Sequence, residues 1–289
     1  MKRLFLPWLF FMVAMSSCLY SAEANQEEEF IVFSIPKCGS GLINKFLGLA
    51  SKKKMRGPRF WFSKYSTECK TSSFDVEKYL DGKSVRQELS NAKRDRAYLF
   101  SHTNFSRPFF DYLLKNDQLK CVLQIRDLRD ACISLIYWKE GNIAEIIGKD
   151  ATFDEKLLFV ISGADSVYKN QVFNLKECAV RALELIDHPN VVVSRFEDLV
   201  GDKGGGDDRS QLELINEITE KLSLRLSIGE REHIASILWG NEEGPHNPTF
   251  RQGQINKWKQ IFTPRHKKVF KKYFGDVLIQ LGYEQDNNW

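Results

Sequence analysis

The feature that most constrains this fold is a short apolar run that passes through a glycine-rich turn into an amphipathic segment. Phe30 to Ile35 is the apolar run, as expected for a strand that is buried on both faces. Beyond Gly39 to Gly41, apolar residues recur at helical spacing from Leu42 to Ala50, and Lys52 to Lys54 stand where cations stabilise the end of a helix. The pattern predicts a strand, a tight glycine turn and a helix.

Three further apolar runs end in polar residues. These runs are Tyr98 to Phe100 before Ser101 and His102, Cys121 to Ile125 before Arg126, and Val191 to Val193 before Ser194. Helical stretches separate them, which predicts one α/β domain with a central, mainly parallel sheet flanked by helices. Functional residues of such sheets gather beyond the carboxyl ends of the strands. We therefore expect Lys37, His102 and Arg126 to share one crevice although they are distant in sequence.

The segment from Asp202 to Ser210 carries three consecutive glycines, at positions 204–206. Glycine has few steric restrictions and adds no apolar side chain to a core. We therefore expect a flexible surface excursion here, and we see no boundary of a second domain in the chain.

Composition narrows the class of protein. Of the 289 residues, 43% are hydrophobic and 28% are charged, which is typical of a globular protein and excludes disordered, collagenous and disulfide-scaffold chains. The formal net charge is only +4, and no run of five or more basic residues occurs. An extended surface for nucleic acid is therefore not expected.

The N-terminus differs from the rest of the chain. Two basic residues precede an uncharged stretch from Leu4 to Ala22. A short basic region, an apolar core and small residues up to Ala24 are typical of a secretory signal peptide. We therefore expect residues 1–24 to be a signal peptide, residues 25–289 to be the functional domain, and the protein to be exported or to reside in the secretory lumen.

Two alternatives for this stretch stay open. It is long enough for a short membrane anchor, which would attach the protein to a membrane. Ser16 to Cys18 resembles a bacterial lipoprotein cleavage box. A buried N-terminal helix is disfavoured by Pro7 and by a pattern that is apolar on every face.

The cysteines do not form a recognisable framework. If Cys18 leaves with the signal peptide, five remain: Cys38, Cys69, Cys121, Cys132 and Cys178. Their number is odd and no pair has the C-x-x-C spacing, and Cys121 and Cys132 have apolar neighbours, among which cysteine behaves as a small hydrophobe. Neither a set of disulfides nor a zinc site is expected.

The turn after the first apolar run can bind an anion. Lys37 and Gly39 to Gly41 stand between a predicted strand and a predicted helix, where backbone N–H groups and the helix dipole attract negative charge. A Walker A loop would place Gly-Lys and then Ser or Thr at its end. Here the lysine comes first, which disfavours a nucleotide triphosphatase but keeps a phosphate-type site. A purely structural turn is the alternative.

Two later segments carry similar chemistry. Arg126 ends an apolar run and Ser134 follows eight residues later in a predicted helix, so that both can grip one phosphate. Arg251, Gln252 and Gly253 offer a guanidinium group and bare backbone to an anion. For the first of these segments, a surface charge cluster is the alternative.

In order and in spacing, these three segments resemble the 5′-phosphosulfate loop, the 3′-phosphate element and the C-terminal Arg-Lys-Gly segment of sulfotransferases that use 3′-phosphoadenosine-5′-phosphosulfate (PAPS). The resemblance extends over nearly all of Phe30 to Glu284 and includes the landmarks Arg195 to Leu199 and Leu278 to Glu284. It implies a P-loop-like turn in an α/β fold, PAPS as the sulfuryl donor, no metal, and a hydroxyl or amine acceptor on a small molecule or a glycan.

The resemblance also implies a role for individual residues. Lys37 would contact the bridging and leaving phosphate oxygens, while the N–H groups of Gly39, Ser40 and Gly41 would hold the 5′-phosphate. The 3′-phosphate would be held by Arg126, Ser134, Arg251 and Gly253, with Gln252 in the position of the family's lysine. His102 would be the general base that removes the proton of the acceptor.

The chemistry of sulfuryl transfer fits these residue types. A neutral hydroxyl needs a base as it attacks, and the departing phosphate needs a cation. We therefore interpret the chain as an enzyme, a PAPS-dependent sulfotransferase. Two alternatives are a catalytically silent nucleotide-binding module and a P-loop kinase-like phosphotransferase, for which the Walker A ending is missing. The family's dimer signature is altered at Pro264 and Lys268, so no oligomeric state is predicted.

Overall fold

The computed structural model describes residues 29–56, 82–103, 112, 115–116, 119–138, 143–163, 174–241 and 250–289. The predicted signal peptide or membrane anchor at residues 1–24, and Cys69, lie outside these ranges. Within them, no helix combines the length and the apolar character that crossing a membrane requires.

Five strands in the described residues form one sheet in which every neighbouring pair is parallel. They are β1 (Phe30–Ser34), β2 (Lys54–Arg56), β3 (Ala97–His102), β4 (Lys120–Ile125) and β5 (Val191–Arg195). Their order across the sheet is β2-β3-β1-β4-β5. The prediction of an α/β fold with a central parallel sheet is confirmed.

Helices connect and cover these strands. They are α1 (Ser40–Ser51), α2 (Gly82–Arg94), α3 (Leu128–Ile136), α4 (Ile143–Ile147), α5 (Phe153–Ser162), α6 (Leu175–Ile186), α7 (Phe196–Leu199), α8 (Asp208–Lys221), α9 (Ile228–Leu238), α10 (Trp258–Ile261) and α11 (Pro264–Gln280). Side-chain oxygens of Thr152, Asp207, Ser227 and Thr263 accept backbone N–H groups where α5, α8, α9 and α11 begin. Such capping stabilises the otherwise unpaired donors of a first turn.

The core lies on both faces of the sheet. Ile31 and Phe33 of β1 pack on one face, and Phe30 and Val32 pack on the other. Every residue of β1 is buried, because helices cover both of its faces. This explains why its sequence is almost wholly apolar instead of alternating.

The segment Asp202–Ser210 lies largely at the surface, as predicted, but it has regular structure instead of forming a flexible excursion. Asp202–Gly204 is a turn of 3₁₀ helix, Gly204 is buried, and α8 begins at Asp208. A Cβ atom at Gly204 would lie 2.2 Å from Val200 Cγ2 and 2.7 Å from the carbonyl oxygen of Gly253. At this position, therefore, the absence of a side chain permits close packing against a distant segment.

Candidate functional site

Strand register brings the ends of four strands together at one edge of the sheet. Ser34, which ends β1, is paired with His102 of β3 on one side and with Gln124 of β4 on the other. Ile125 of β4 is paired with Arg195 of β5. Residues that directly follow these strands therefore lie beside one another, as the topology of a parallel sheet requires.

The turn after β1 leads into a helix whose N-terminus is uncapped. Gly39 is the N-cap of α1, contributes no side-chain hydrogen bond, and is followed by no acidic residue in the first turn. Among the described residues, the N–H groups of Gly39, Ser40 and Gly41 have no hydrogen-bond acceptor. Three neighbouring donors at the positive end of a helix dipole form a site for an anion.

Backbone geometry in this turn explains why its glycine is required. Gly39 has φ +91°, and a Cβ atom there would lie 2.4 Å from Cδ2 of Phe196. Lys37 also has a positive φ, of 66°, which is uncommon for a residue with a side chain. Such strain persists only where the surroundings hold the turn in place.

Buried polar side chains hold the turn from beneath. Gln124 donates from Nε2 to the carbonyl oxygen of Cys38 at 3.0 Å, and Ser194 Oγ donates to Gln124 Oε1 at 2.7 Å. The Cys38 thiol is buried, and burial raises its pKa well above the usual value. Because only the thiolate is a good nucleophile, Cys38 is part of the support of the turn and not a reactive group.

His102 stands at the end of β3 with a defined tautomer. Its Nδ1 lies 3.1 Å from the carbonyl oxygen of Ser34. A carbonyl oxygen can only accept a hydrogen bond, so Nδ1 carries the proton in the neutral ring and Nε2 carries the lone pair. The ring of Phe100 packs edge-on against it, with centroids 5.4 Å apart.

Burial keeps this imidazole neutral. It lowers the pKa of His102 to about 4; the contact with Ser34 opposes the change, and the charge of Lys37 adds to it. At neutral pH the ring is therefore unprotonated and has the character of a base. The effect of Lys37 on His102 also means that the ammonium and the imidazole share this edge of the sheet.

Arg126 directly follows β4, and its side chain is largely buried, with 11% of its surface exposed. Its Nη2 donates to the carbonyl oxygen of Gln254 at 2.8 Å and lies 3.8 Å from Oδ2 of Asp130. The guanidinium carbon lies 4.2 Å from the centroid of the Phe196 ring. Its Nε is buried and has no acceptor within the described parts of the chain. Burying a cationic donor without an acceptor costs stability. An unpaired donor of this kind is expected in a site that binds an anionic ligand.

The third predicted segment folds against Arg126. Gly253 has φ +59°, and a Cβ atom there would lie 2.6 Å from the Phe250 ring. The next residue, Gln254, accepts from Arg126 and donates from Nε2 to the carbonyl oxygen of Lys203 at 2.7 Å. The segment is thereby fixed between Arg126 and the 3₁₀ turn.

Arg251 lies over the ring of Tyr137, 4.1 Å from its centroid, and is exposed. Partial burial lowers the pKa of this guanidinium, Tyr137 opposes the change, and Arg126 adds to it. The effect of Arg126 on the pKa of Arg251 means that the two cationic side chains lie near one another. An anion bound between them would offset their repulsion.

The remaining predicted residues of this region have different surroundings. Ser134 is half-buried on α3, and its hydroxyl makes no hydrogen bond to the rest of the described chain. Gln252 is exposed and, over the same ranges, has no hydrogen-bond partner either. Both side chains therefore retain their hydrogen-bonding capacity for a ligand.

Two aromatic residues that sequence reasoning missed connect the predicted segments. Tyr137 and Trp138 follow α3 directly; Arg251 lies over the first ring, and Nζ of Lys37 lies 5.7 Å from the centroid of the second. A third aromatic residue, Trp239, donates from Nε1 to the carbonyl oxygen of Gly253 at 3.3 Å. The only sequence signal for the first pair was its position just beyond Arg126 and Ser134.

The described residues contain no group of three or more His, Cys, Asp or Glu side chains that could hold a metal ion. What they bring to one edge of the sheet is an uncapped helix N-terminus, three cationic side chains and a neutral imidazole. This set can bind an anion with more than one phosphate-type group and can accept a proton next to it.

Of the comparisons with known proteins, the one with solved structures supports the fold. No family model and no curated protein sequence matches the chain. Among solved structures, the mouse sulfotransferase SULT7A1 complexed with PAP matches with a TM-score of 0.54 and 14% sequence identity, covering 88% of this chain and 86% of that one. The chain therefore has an α/β fold similar to that of a sulfotransferase.

Proposed function

We propose that this protein is a sulfotransferase that moves a sulfuryl group from PAPS to a hydroxyl or amine acceptor. Three features meet at one edge of the sheet and carry the proposal: the N-terminus of α1 and the Nε of Arg126, neither of which has a partner among the described residues, and the neutral His102. The solved neighbour with a similar fold is a sulfotransferase complexed with PAP, which supports the same ligand class for this chain.

The donor would be held at both of its phosphate ends. The N–H groups of Gly39, Ser40 and Gly41 would bind the 5′-phosphate at the helix N-terminus. Arg126, with its unpaired Nε, and the unpaired hydroxyl of Ser134 would bind the 3′-phosphate, and Arg251 and Gly253 would complete the pocket. Trp239, beside Gly253, offers an indole face on which an adenine ring can stack.

His102 would act as the general base. Because its Nδ1–H is engaged by Ser34, the proton of the acceptor must go to Nε2. As the acceptor oxygen or nitrogen forms its bond to sulfur, the bond between sulfur and the bridging oxygen of the donor breaks, and the donor departs as adenosine 3′,5′-bisphosphate. The pKa of about 4 keeps the ring unprotonated and ready over the physiological range.

Lys37 would stabilise the phosphate oxygen on which charge develops as that bond breaks. Its position near His102 would have two effects. The ammonium would lie beside the leaving phosphate oxygen, and its charge adds to the effect of burial in keeping the imidazole neutral. One cation thus supports both the base and the leaving group.

The acceptor and the location of the protein are part of the same proposal. We infer a small-molecule or glycan acceptor, and we infer from the N-terminal segment that the protein is exported or membrane-anchored. N-terminal sequencing of the protein made by a secreting host tests the second inference: a mature chain that begins at Asn25 supports cleavage, and an intact Met1 in a membrane fraction supports an anchor.

Ligand-dependent melting tests the donor assignment. Adenosine 3′,5′-bisphosphate at about 100 times its dissociation constant should stabilise the protein by about 2.7 kcal/mol, while ATP with magnesium should have little effect. Equal stabilisation by the two ligands would contradict the proposal and favour a general nucleotide site. Binding of the bisphosphate without transfer to any acceptor would instead favour the catalytically silent module.

A further inference from the structure

The last residues of the chain fold back onto the turn that carries Arg126. Residues 281–289, which we name the C-terminal clasp, follow α11 and reach this turn with two separate groups of contacts. The hydrogen bonds of both groups involve none of Lys37, His102, Arg126 and Arg251. Both involve side chains that sequence analysis left without a function.

The first group centres on Arg129, which lies in the first turn of α3 and is almost fully buried. Its Nε and Nη2 donate to the carboxylate of Asp127 at 2.8–3.1 Å, and its Nη1 donates to Oε1 of Glu284 at 2.6 Å. The guanidinium carbon lies 3.7 Å from the ring centroid of Trp258 and 4.4 Å from that of Trp289. Arg129 is thus held by a carboxylate at each end of its guanidinium group and by two neighbouring indole rings.

The same Asp127 carboxylate also accepts the backbone N–H of Arg129 and so caps α3, the helix that carries Ser134. Asp127 is the residue directly after Arg126. The start of α3, and the backbone directly after Arg126, are therefore held by a residue that Arg129 contacts.

The second group reaches the backbone of Asp127. Glu197 accepts the N–H of Asp127 with Oε1 at 3.0 Å and the hydroxyl of Tyr283 with Oε2 at 2.9 Å. Arg195 lies 4.8 Å from the centroid of the Tyr283 ring and donates from Nη2 to the carbonyl oxygen of Leu281 at 2.7 Å. Tyr283 and Glu284, adjacent in sequence, thus reach the two sides of one turn.

From this geometry we propose that the C-terminal clasp positions the Arg126 turn, and with it the site for the 3′-phosphate of the donor. Arg129, Tyr283 and Glu284 are positioning residues, which act through Asp127 and Glu197 without touching the ligand. The inference rests on the proposed function. It adds that the affinity for the 3′-phosphate, separately from that for the 5′-phosphate, depends on the far end of the chain.

Two ligands that differ only in the 3′-phosphate separate positioning from general stability. Adenosine 3′,5′-bisphosphate uses both phosphate sites, whereas adenosine 5′-monophosphate uses the 5′-phosphate site at the N-terminus of α1 and not the 3′-phosphate site. A variant that merely destabilised the fold would weaken both ligands alike. A variant that displaced Arg126 would weaken the bisphosphate and spare the monophosphate.

The experiment is a calorimetric titration of the full-length chain with each ligand. Arg129→Lys keeps the positive charge, but a lysine cannot form the paired hydrogen bonds by which the guanidinium group binds two carboxylates. Glu284→Gln removes one of those two carboxylates. We expect the dissociation constant of the bisphosphate to rise about tenfold in each variant, and that of the monophosphate to stay within about twofold. Tyr283→Phe, which keeps the stacked ring and loses only the hydroxyl, should show a smaller change in the same direction.

Asp286→Asn is the matched control. Asp286 is an exposed carboxylate of the clasp whose hydrogen bonds go to Asn288 and not to the Arg126 turn. It should leave the preference for the bisphosphate at its wild-type value. If this control lost the preference as strongly as Glu284→Gln did, the effect would belong to the whole segment and not to the contacts we describe.

Each result bears on a different claim. If the wild-type protein binds the two ligands equally, that result would contradict both the proposed 3′-phosphate site and the positioning role. A wild-type preference that survives intact in Arg129→Lys, Tyr283→Phe and Glu284→Gln would overturn the positioning role alone. If Arg129→Lys fails to fold, Tyr283→Phe and Glu284→Gln decide the question, since each changes only one hydrogen-bonding group of the clasp.

Discussion

Replacement of His102 by alanine gives the sharpest separation of binding from chemistry. The change removes the Nε2 lone pair and the Nδ1–H contact with the carbonyl oxygen of Ser34. That oxygen keeps a second hydrogen bond, from the backbone N–H of Thr103 at 3.1 Å, so it does not become an unpaired buried acceptor. The lost hydrogen bond should cost about 1 kcal/mol of stability, and the lost packing against Phe100 should add to that cost.

The loss of activity should be far larger. Removing a general base costs roughly 10²–10⁴-fold in turnover. The phosphate contacts in our account come from other residues, so affinity for adenosine 3′,5′-bisphosphate should stay within about twofold. Initial rates with labelled PAPS and calorimetry on the same preparation measure the two quantities. His233→Ala, which changes an exposed imidazole on α9, is the matched control and should behave as wild type.

The pH dependence follows from the neutral state of the ring. Only unprotonated imidazole can accept a proton, so kcat/KM should be constant near neutrality and should fall as the pH drops towards about 4, well below the ordinary value of 6.5. Lys37→Met removes a charge that lowers the pKa of His102, so the fall should begin at a higher pH. Near wild-type turnover in His102→Ala, or an acid limb at pH 6.5, would refute the assignment of this residue as the base.

Three further changes test the phosphate sites and their support. Arg126→Ala should weaken bisphosphate binding by about 2 kcal/mol, measured by calorimetry; unchanged affinity would reduce the second segment to a surface charge cluster. Gly39→Ala should lower the free energy of unfolding by roughly 1–3 kcal/mol in urea titrations, because its φ is +91° and the new methyl group would meet Phe196; no loss would contradict the described turn. Gln124→Met should cost roughly 1–3 kcal/mol in the same assay by leaving the carbonyl oxygen of Cys38 without its donor, and full stability would show that this contact is dispensable.

The parts of the fold that the sequence predicted are those with a strong local pattern. β1 and β4 are buried along nearly their whole length, and burial on both faces produces the continuous apolar runs from which they were predicted. The direction of the strands then places Lys37, His102 and Arg126 at one edge. Parallel strands share their carboxyl ends, and this much needs no knowledge of side-chain contacts.

Short and exposed elements had no such pattern. β2 is a three-residue edge strand, Lys54–Arg56, with two of its residues exposed, so neither burial nor alternation marked it. Lys52 to Lys54 were expected at the end of a helix. The helix ends at Ser51 because Lys52 takes a left-handed conformation with φ 56°, after which the chain turns into β2.

Contacts between distant segments were the least predictable. Arg126 binds the carbonyl oxygen of Gln254, a backbone group that every residue possesses, and so the choice of partner has no sequence signature. The buried Gly204 was misread for the same reason. A glycine that permits close packing and a glycine that permits flexibility look alike in sequence, and only the position of Val200 and Gly253 distinguishes them.

A crystal structure of the protein with adenosine 3′,5′-bisphosphate tests the central claim most directly. Our account predicts the 5′-phosphate at about 3 Å from the N–H groups of Gly39 to Gly41, and the 3′-phosphate at the same distance from Nε of Arg126 and the hydroxyl of Ser134. Nε2 of His102 should face the side of the 5′-phosphate on which the sulfuryl group would lie. A ligand bound at another edge of the sheet, or a 3′-phosphate that leaves Arg126 untouched, would contradict the assignment of this site.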